Sequence, residues 1–177
     1  MENILHLELA GILFIFVAGS ALHFVFDWGK RWRPLGIIAP VNESVWEHFK
    51  LSFWPGIIYA LGEYIYLGAS LGNFWFAKAI GITSMILIVG VVFYAYKAIL
   101  GKHFLVIDIS LFFVATAIGQ ILSYFIISGA SISSILEMAG KIWILFSAVI
   151  FAVFTYKPPK VLIFKDTVCH KYGIFEK

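Results

Sequence analysis

Charge is what this 177-residue chain has least of. Asp, Glu, Lys and Arg together make up 13% of it, about half the ~25% usual in a soluble domain. That shortage excludes a disordered chain and an ordinary water-soluble fold, both of which need polar residues facing water. Cysteine is nearly missing as well. Cys169 stands alone, so an internal disulfide and a zinc site built on cysteines are excluded. The formal net charge is only +3, and the basic residues flank apolar runs instead of forming a stripe, which leaves no footprint for a nucleic-acid partner. No internal repeat or low-complexity stretch occurs, so an inverted-repeat transporter is unsupported.

What the chain has is apolar length. Residues of hydrophobic type make up 62%, gathered into five runs over 4–28, 44–67, 74–100, 103–127 and 132–156. A helix of about 25 residues is about 37 Å long, enough to cross a ~30 Å hydrocarbon layer with some tilt. The ten-residue alternating strands of a membrane barrel are missing. Helices satisfy their own backbone in lipid. The expected fold is therefore all-α: an integral membrane helical bundle of five transmembrane helices over residues 1–156, with a short cytoplasmic tail over 157–177. The protein is expected in the cell membrane, multi-pass, with membrane lipid as its surroundings. The first run lacks the basic n-region and Ala-x-Ala site of a secretory signal and is expected to remain as a span. Pro55-Gly56 falls inside the second run and is expected to kink it.

Lysine and arginine set the expected orientation. Lys30, Arg31 and Arg33 follow the first run, Lys97 and Lys102 border the third loop, and Lys157, Lys160, Lys165, Lys171 and Lys177 lie in the tail. The N-terminal arm and the loop between the fourth and fifth runs carry none, which predicts N-terminus outside and C-terminus cytoplasmic. Trp28, Trp32, Trp46, Trp54 and Trp75 fall near run ends, where interfacial aromatics collect.

An ionisable side chain inside a span costs ~2.5–3.5 kcal/mol or more, so each one needs a partner. Two layers emerge. At the cytoplasmic level His23 and Asp27 lie four apart on one helix face. Glu43, Ser44, Glu47 and His48 open the second helix, and His103 and Asp108 open the fourth. Histidines with carboxylates at one depth suit a divalent metal, zinc foremost, with three protein ligands and one open position. His23, Asp27, His48 and Asp108 are the expected metal ligands and Glu47 or Glu43 the general base. The same residues would also serve a proton or ion relay. The plainer alternative is a helix cap, because Ser44-x-x-Glu47 has capping-box spacing and Val41 and Trp46 the staple positions, with Asp27 paired to Arg31 or Arg33. At the outer level lie His6, Glu8, Glu63, Lys78, Gln120, Glu137 and Lys141. Glu137 and Lys141 have the spacing of an intrahelical pair, and Glu63 is in reach of Lys141 or Lys78. Cys169-His170 reads as a surface pair.

The run Ala39-Pro40-Val41-Asn42-Glu43-Ser44-Val45-Trp46-Glu47-His48 resembles the signature of an uncharacterised family of small prokaryotic multi-pass membrane proteins. His23, Asp27, Pro158-Pro159, Asp166 and Tyr172-Gly173 fit the same pattern. Locally, Ser44-x-x-x-His48 is similar to the serine–histidine element of the CREST membrane hydrolases, which cleave amides or esters in lipids with a histidine-held metal. That resemblance implies His48 as a ligand and Ser44 as an oxyanion or outer-shell group. The chain departs from it in having five runs, not seven, and no His-x-x-x-His. The function expected is a metal-dependent hydrolase acting on a lipid or amphiphile at the cytoplasmic leaflet. The alternatives are a small transporter or relay and a non-catalytic membrane binding subunit.

The orientation is directly testable. A reporter fused after Lys177 should read cytoplasmic and one fused before Met1 external; the same side at both ends would mean an even number of crossings and would break the two-layer placement.

Overall fold

The computed structural model describes residues 2–67 and 71–175. Met1 and Lys177, which entered the topology argument, lie outside the described residues. Within them the fold is all-α, with five long helices: α1 Glu2–Trp28, α2 Val45–Leu67, α3 Phe74–Leu100, α4 Leu105–Ile127 and α5 Ser134–Tyr156. Each begins and ends within two residues of the apolar run that predicts it. Local chemistry sets the ends. Gly101 closes α3 at φ 74°, its N–H bonded to the Lys97 carbonyl, as a left-handed C-terminal glycine does. Ser133 caps α5 by accepting the Leu136 N–H. The helix α2 runs unbroken through Pro55.

Four of the helices, α1, α3, α4 and α5, are long and apolar enough to cross a membrane. The outward surface is apolar to match: Leu13, Val17, Ile65, Val91, Phe125 and Leu145 are all more than half exposed, a surface that suits hydrocarbon and not water. The remaining helix, α2, is as long as α4 and α5 but carries Glu47, Lys50 and Glu63, all buried. Its position explains the difference. α1 to α4 pack in a ring, α1 on α2, α2 on α3, α3 on α4 and α4 back on α1, while α5 lies on the outside of α3.

Glycines allow that packing. A Cβ on Gly81 would lie 2.7 Å from the Gly119 carbonyl oxygen, and one on Gly119 would lie 2.7 Å from the Gly81 oxygen. Gly140 sits as tightly on the backbone of Phe76, where a Cβ would meet the nitrogen at 2.6 Å. Small residues at these points bring α3 close to α4 on one side and to α5 on the other. Glu137 also joins α5 to α3. Its carboxylate accepts the N–H groups of Trp75 and Phe76 at 3.0 and 3.1 Å, in the first turn of α3 where orphan donors and the helix dipole favour an anion. That contact takes the place of the expected pair with Lys141.

The tail folds back on one end of the bundle. After Pro158-Pro159 a short 3₁₀ turn at Leu162–Phe164 buries Phe164 against Trp46 and Phe154, at ring separations of 4.7 and 5.4 Å. Lys165 and Tyr172 then bridge backbone to backbone. Asn42 Nδ2 donates to the Gly173 carbonyl at 2.9 Å, and Arg31 to that of Phe175 at 2.8 Å. The tail thus lies against the loop between α1 and α2.

Two glycine substitutions separate packing from propensity. Gly119→Val should cost ~1–3 kcal/mol by overpacking the α3–α4 contact. Gly62→Ala, where a Cβ meets nothing within 4 Å, should be neutral or stabilise by up to ~1 kcal/mol. Thermal melting in detergent reads both, and equal melting temperatures would contradict the packing assignment.

Candidate metal centre

The loop 39–44 and the first turn of α2 build the site from the backbone up. Asn42 Oδ1 accepts the Ser44 N–H at 2.9 Å, an Asx turn that brakes the chain before the helix. Ser44 Oγ then accepts the Glu47 N–H at 3.3 Å, the N-terminal half of a capping box. The other half is redirected. Glu47 Oε2 reaches past Ser44 to the Val41 N–H at 3.0 Å and to Lys50 Nζ at 2.6 Å. Lys50 is fully buried, and its ammonium also donates to the Gly36 carbonyl at 2.7 Å and to Thr155 Oγ1 at 2.6 Å. Three donors meet three acceptors, the condition under which a buried ammonium is tolerated.

With the helix start held this way, His48 lies one turn above Ser44. Its Nδ1 is 2.8 Å from the Ser44 carbonyl oxygen. A carbonyl only accepts, so Nδ1 carries the proton and Nε2 keeps its lone pair, the tautomer that a metal-ligating histidine needs. That lone pair points at His23. The two Nε2 atoms are 3.2 Å apart, and Glu43 Oε2 lies 3.6 Å from His23 Nε2 and 3.5 Å from that of His48. Three ligand atoms held ~2.0–2.1 Å from one zinc at tetrahedral angles are about 3.3–3.4 Å from each other. The observed triangle has that size. His48 offers a lone pair here, Glu43 a carboxylate, and His23 an Nε2 that adds a second lone pair in one of its tautomers and donates to His48 in the other, so the donor set is one a divalent metal can take in chemistry as well as in spacing.

Glu43 is placed by the tail. Its N–H donates to Asp166 Oδ2 at 2.9 Å, and its carbonyl accepts the Thr167 N–H at 3.3 Å and hydroxyl at 3.0 Å. Asp166 is buried, and its other oxygen accepts the N–H groups of Val168 and Cys169. These five hydrogen bonds clamp the segment of chain from which the Glu43 carboxylate projects.

The three donors open on a cavity of about 280 Å³ between α1, α2, α3 and α4, lined mainly by apolar side chains such as Phe24, Leu51, Val89 and Phe112. Asp108 and His103 line it too. His103 Nδ1 is 3.0 Å from Asp108 Oδ2, and the Tyr96 hydroxyl donates to Asp108 Oδ1. This leaves His103 Nε2 as the available nitrogen of a carboxylate-oriented imidazole.

Of the residues expected on spacing alone, the fold gathers His23, Glu43 and His48 into one group whose ligand atoms all lie within 4.8 Å of one another. Asp27 is placed with Arg31 at 2.8 Å on an exposed turn and borders a second, smaller cavity with His23. Asp108 is placed with Tyr96 and His103, and Glu47 with Lys50 outside the cavity lining. Ser44 contributes its carbonyl to His48 and its hydroxyl to the helix cap. Spacing missed the tail residues Asp166 and Thr167, more than 120 positions from Glu43 along the chain; local periodicity carries no signal for such a contact. Lys50 is legible in the sequence at the depth of the cytoplasmic layer, and it follows Glu47 by three in an apolar helix, the spacing of a pair.

The buried pair gives a stability test. Lys50→Met should destabilise by ~3–5 kcal/mol, because it strands the Glu47 carboxylate. Adding Glu47→Leu should recover part of that loss, since apolar replacement of a whole buried pair is often tolerated. Melting curves showing the single variant as stable as the wild type would remove this pair from its role in holding the loop.

No curated protein and no solved structure matches the chain. A family model described as a family of unknown function, DUF6512, matches residues 2–174, which takes in all five helices, the three-donor group and the tail clamp; the chain belongs to that family.

Proposed function

We propose that this membrane protein is a metal-dependent hydrolase acting on a lipid or lipid-like amphiphile. The observation that carries the reading is the triangle of His23 Nε2, His48 Nε2 and Glu43 Oε2, with edges of 3.2, 3.5 and 3.6 Å. Three protein ligands with a fourth position left open is the catalytic arrangement for zinc, where structural sites are closed. A zinc ion held there would supply Lewis acidity and an activated water.

The chain's own residues account for the rest. The Ser44 carbonyl holds His48 in the ligating tautomer, and the Asp166–Thr167 clamp fixes Glu43. The proton-transfer role falls to His103 in this reading. Asp108 orients its ring as a carboxylate orients a catalytic imidazole, and both line the same cavity as the three donors. Phe24, Leu51 and Phe112 give that cavity apolar walls suited to the start of an acyl or alkyl chain. On the orientation that the basic residues favour, this end of the bundle meets the cytoplasmic leaflet, where headgroup and chain of an amphiphile divide between polar and apolar surroundings.

A relay through the bundle ranks lower for a stated reason. Over 9–22 of α1, 51–58 of α2, 79–93 of α3, 109–119 of α4 and 142–155 of α5 there is no Asp, Glu, Lys, Arg, His or Tyr. A proton path along the ring would cross that stretch without a titratable side chain.

Elemental analysis of the purified protein should return close to one equivalent of zinc, lost in His48→Ala and His23→Ala. Chelation should lower the wild-type melting temperature and leave His48→Ala unmoved. A site filled at a free metal concentration of a hundred times Kd adds ~2.7 kcal/mol of stability. Imidazole ligands compete with protons below the ordinary histidine pKa of ~6.5, so the chelator effect should be present at pH 7.5 and absent at pH 5.5. Hydrolysis of amide- or ester-linked lipid substrates should follow the metal content. Wild-type melting that ignores chelator at both pH values, in protein shown to bind no added zinc, would overturn the proposal.

A further inference from the structure

The bundle end away from the candidate metal centre buries a second charged group, and its charges do not balance. Glu8 of α1, Glu63 of α2 and Lys78 of α3 are 1%, 3% and 1% exposed. Lys78 Nζ lies 2.6 Å from Glu8 Oε1 and 2.5 Å from Glu63 Oε2. Among the described residues it is the one cation within 4 Å of either carboxylate. Two carboxylates therefore share one ammonium.

The neighbouring polar groups do not make up the difference. The Tyr59 hydroxyl donates to the Leu7 carbonyl, and the Gln120 amide faces the Glu8 backbone oxygen at 3.5 Å. Glu8 Oε2 and Glu63 Oε1 are buried with no hydrogen-bond partner. Fully ionised, the group would hold one surplus negative charge and orphaned carboxylate oxygens in the core of a membrane bundle. Both are costly, since a buried charge left uncompensated destabilises by several kcal/mol.

We propose that Glu8, Glu63 and Lys78 form a binding site for one monovalent cation, H⁺ or Na⁺, independent of the metal centre. Monovalence follows from the charge, since a divalent ion would replace a surplus negative charge with a surplus positive one. Either cation uses the oxygens that the protein leaves unsatisfied. A proton on one carboxyl makes an O–H donor for an oxygen of the other, and Na⁺ takes oxygen ligands from both. The titratable groups facing the site are Glu8 from α1, Glu63 and Tyr59 from α2 and Lys78 from α3; α4 presents the neutral Gln120. The site lies fifteen residues from His23 along α1, about 22 Å at 1.5 Å per residue, so metal loading and cation loading can be read separately.

The test is infrared spectroscopy of the full chain in detergent at neutral pH, in choline chloride and in sodium chloride, with thermal melting in the same buffers. A protonated carboxyl shows a C=O stretching band that a carboxylate lacks. In choline the wild type should show that band, and both Glu63→Gln and Glu8→Gln should lose it, because one amide removes the surplus charge. If Na⁺ is the cation, sodium chloride should abolish the wild-type band and raise the wild-type melting temperature, with no rise in either variant. If H⁺ is the cation, the band should persist in sodium. The proposal is overturned if wild type shows no such band and no sodium-dependent shift, or if a band survives in both variants without a sodium shift. Zinc content should be unchanged in both variants, which separates this result from the fate of the hydrolase reading.

Discussion

The buried pair of Glu47 and Lys50 is the interaction on which the rest of the candidate centre depends. A carboxylate and an ammonium removed from water must satisfy every lone pair and proton from protein groups, and this pair does so by gathering three segments. Val41 and Gly36 come from the loop after α1, Thr155 comes from the end of α5, and the pair itself rides on the first two turns of α2. Once those partners are drawn in, the loop 39–44 has little freedom. Asn42, Glu43 and Ser44 are held against the bundle end, and His48 is presented toward α1 at the height of His23.

The same constraint explains why α2 differs from its neighbours. A lipid-facing helix can be apolar all round, but a helix carrying two glutamates and a lysine must sit where other helices supply partners. The ring of α1 to α4 gives α2 that place, with Lys50 satisfied at one end and Glu63 facing Lys78 at the other. The two ends are not equivalent. At the first, donors and acceptors match. At the second, carboxylates outnumber ammonium groups, and with Glu63 Oε2 ion-paired to Lys78 two carboxylate oxygens have neither a hydrogen bond nor a cation, the condition from which the cation site is inferred. Between them lies a stretch of apolar and small residues, entered by the close approach of Gly81 in α3 to Gly119 in α4. The polar chemistry is thus divided into two separate sites by the demands of the hydrocarbon.

The tail has a structural office beyond covering the bundle. Asp166 occupies a buried turn in which both of its oxygens accept backbone N–H groups, and one of those belongs to Glu43. A short carboxylate side chain on loose chain would be a poor ligand, since its immobilisation would oppose binding. Clamped at its own N–H and C=O, Glu43 offers its carboxylate at a distance from both imidazoles that suits a single ion. Rigid support of this kind is what sets the precision of a metal site.

The amino-acid sequence by itself determined the class of protein and the extent of its helices, because apolar length and backbone self-satisfaction leave few other solutions in a membrane. It also placed His23, Glu43 and His48 near one depth, since depth along a span is simple arithmetic in residues. Rotation about each helix axis and contacts across the chain were decided only by the tertiary structure. Asp27 and His23 share a face by spacing, yet Arg31, in a left-handed turn at φ 56°, turns back to take Asp27. Glu47 and His48 are adjacent in the chain and point to different surroundings, one to the buried lysine and the other to the cavity. Glu43 and Asp166 meet across 123 residues. Periodicity reports which residues lie at one height; the partners a buried charge finds there depend on every helix packed around it.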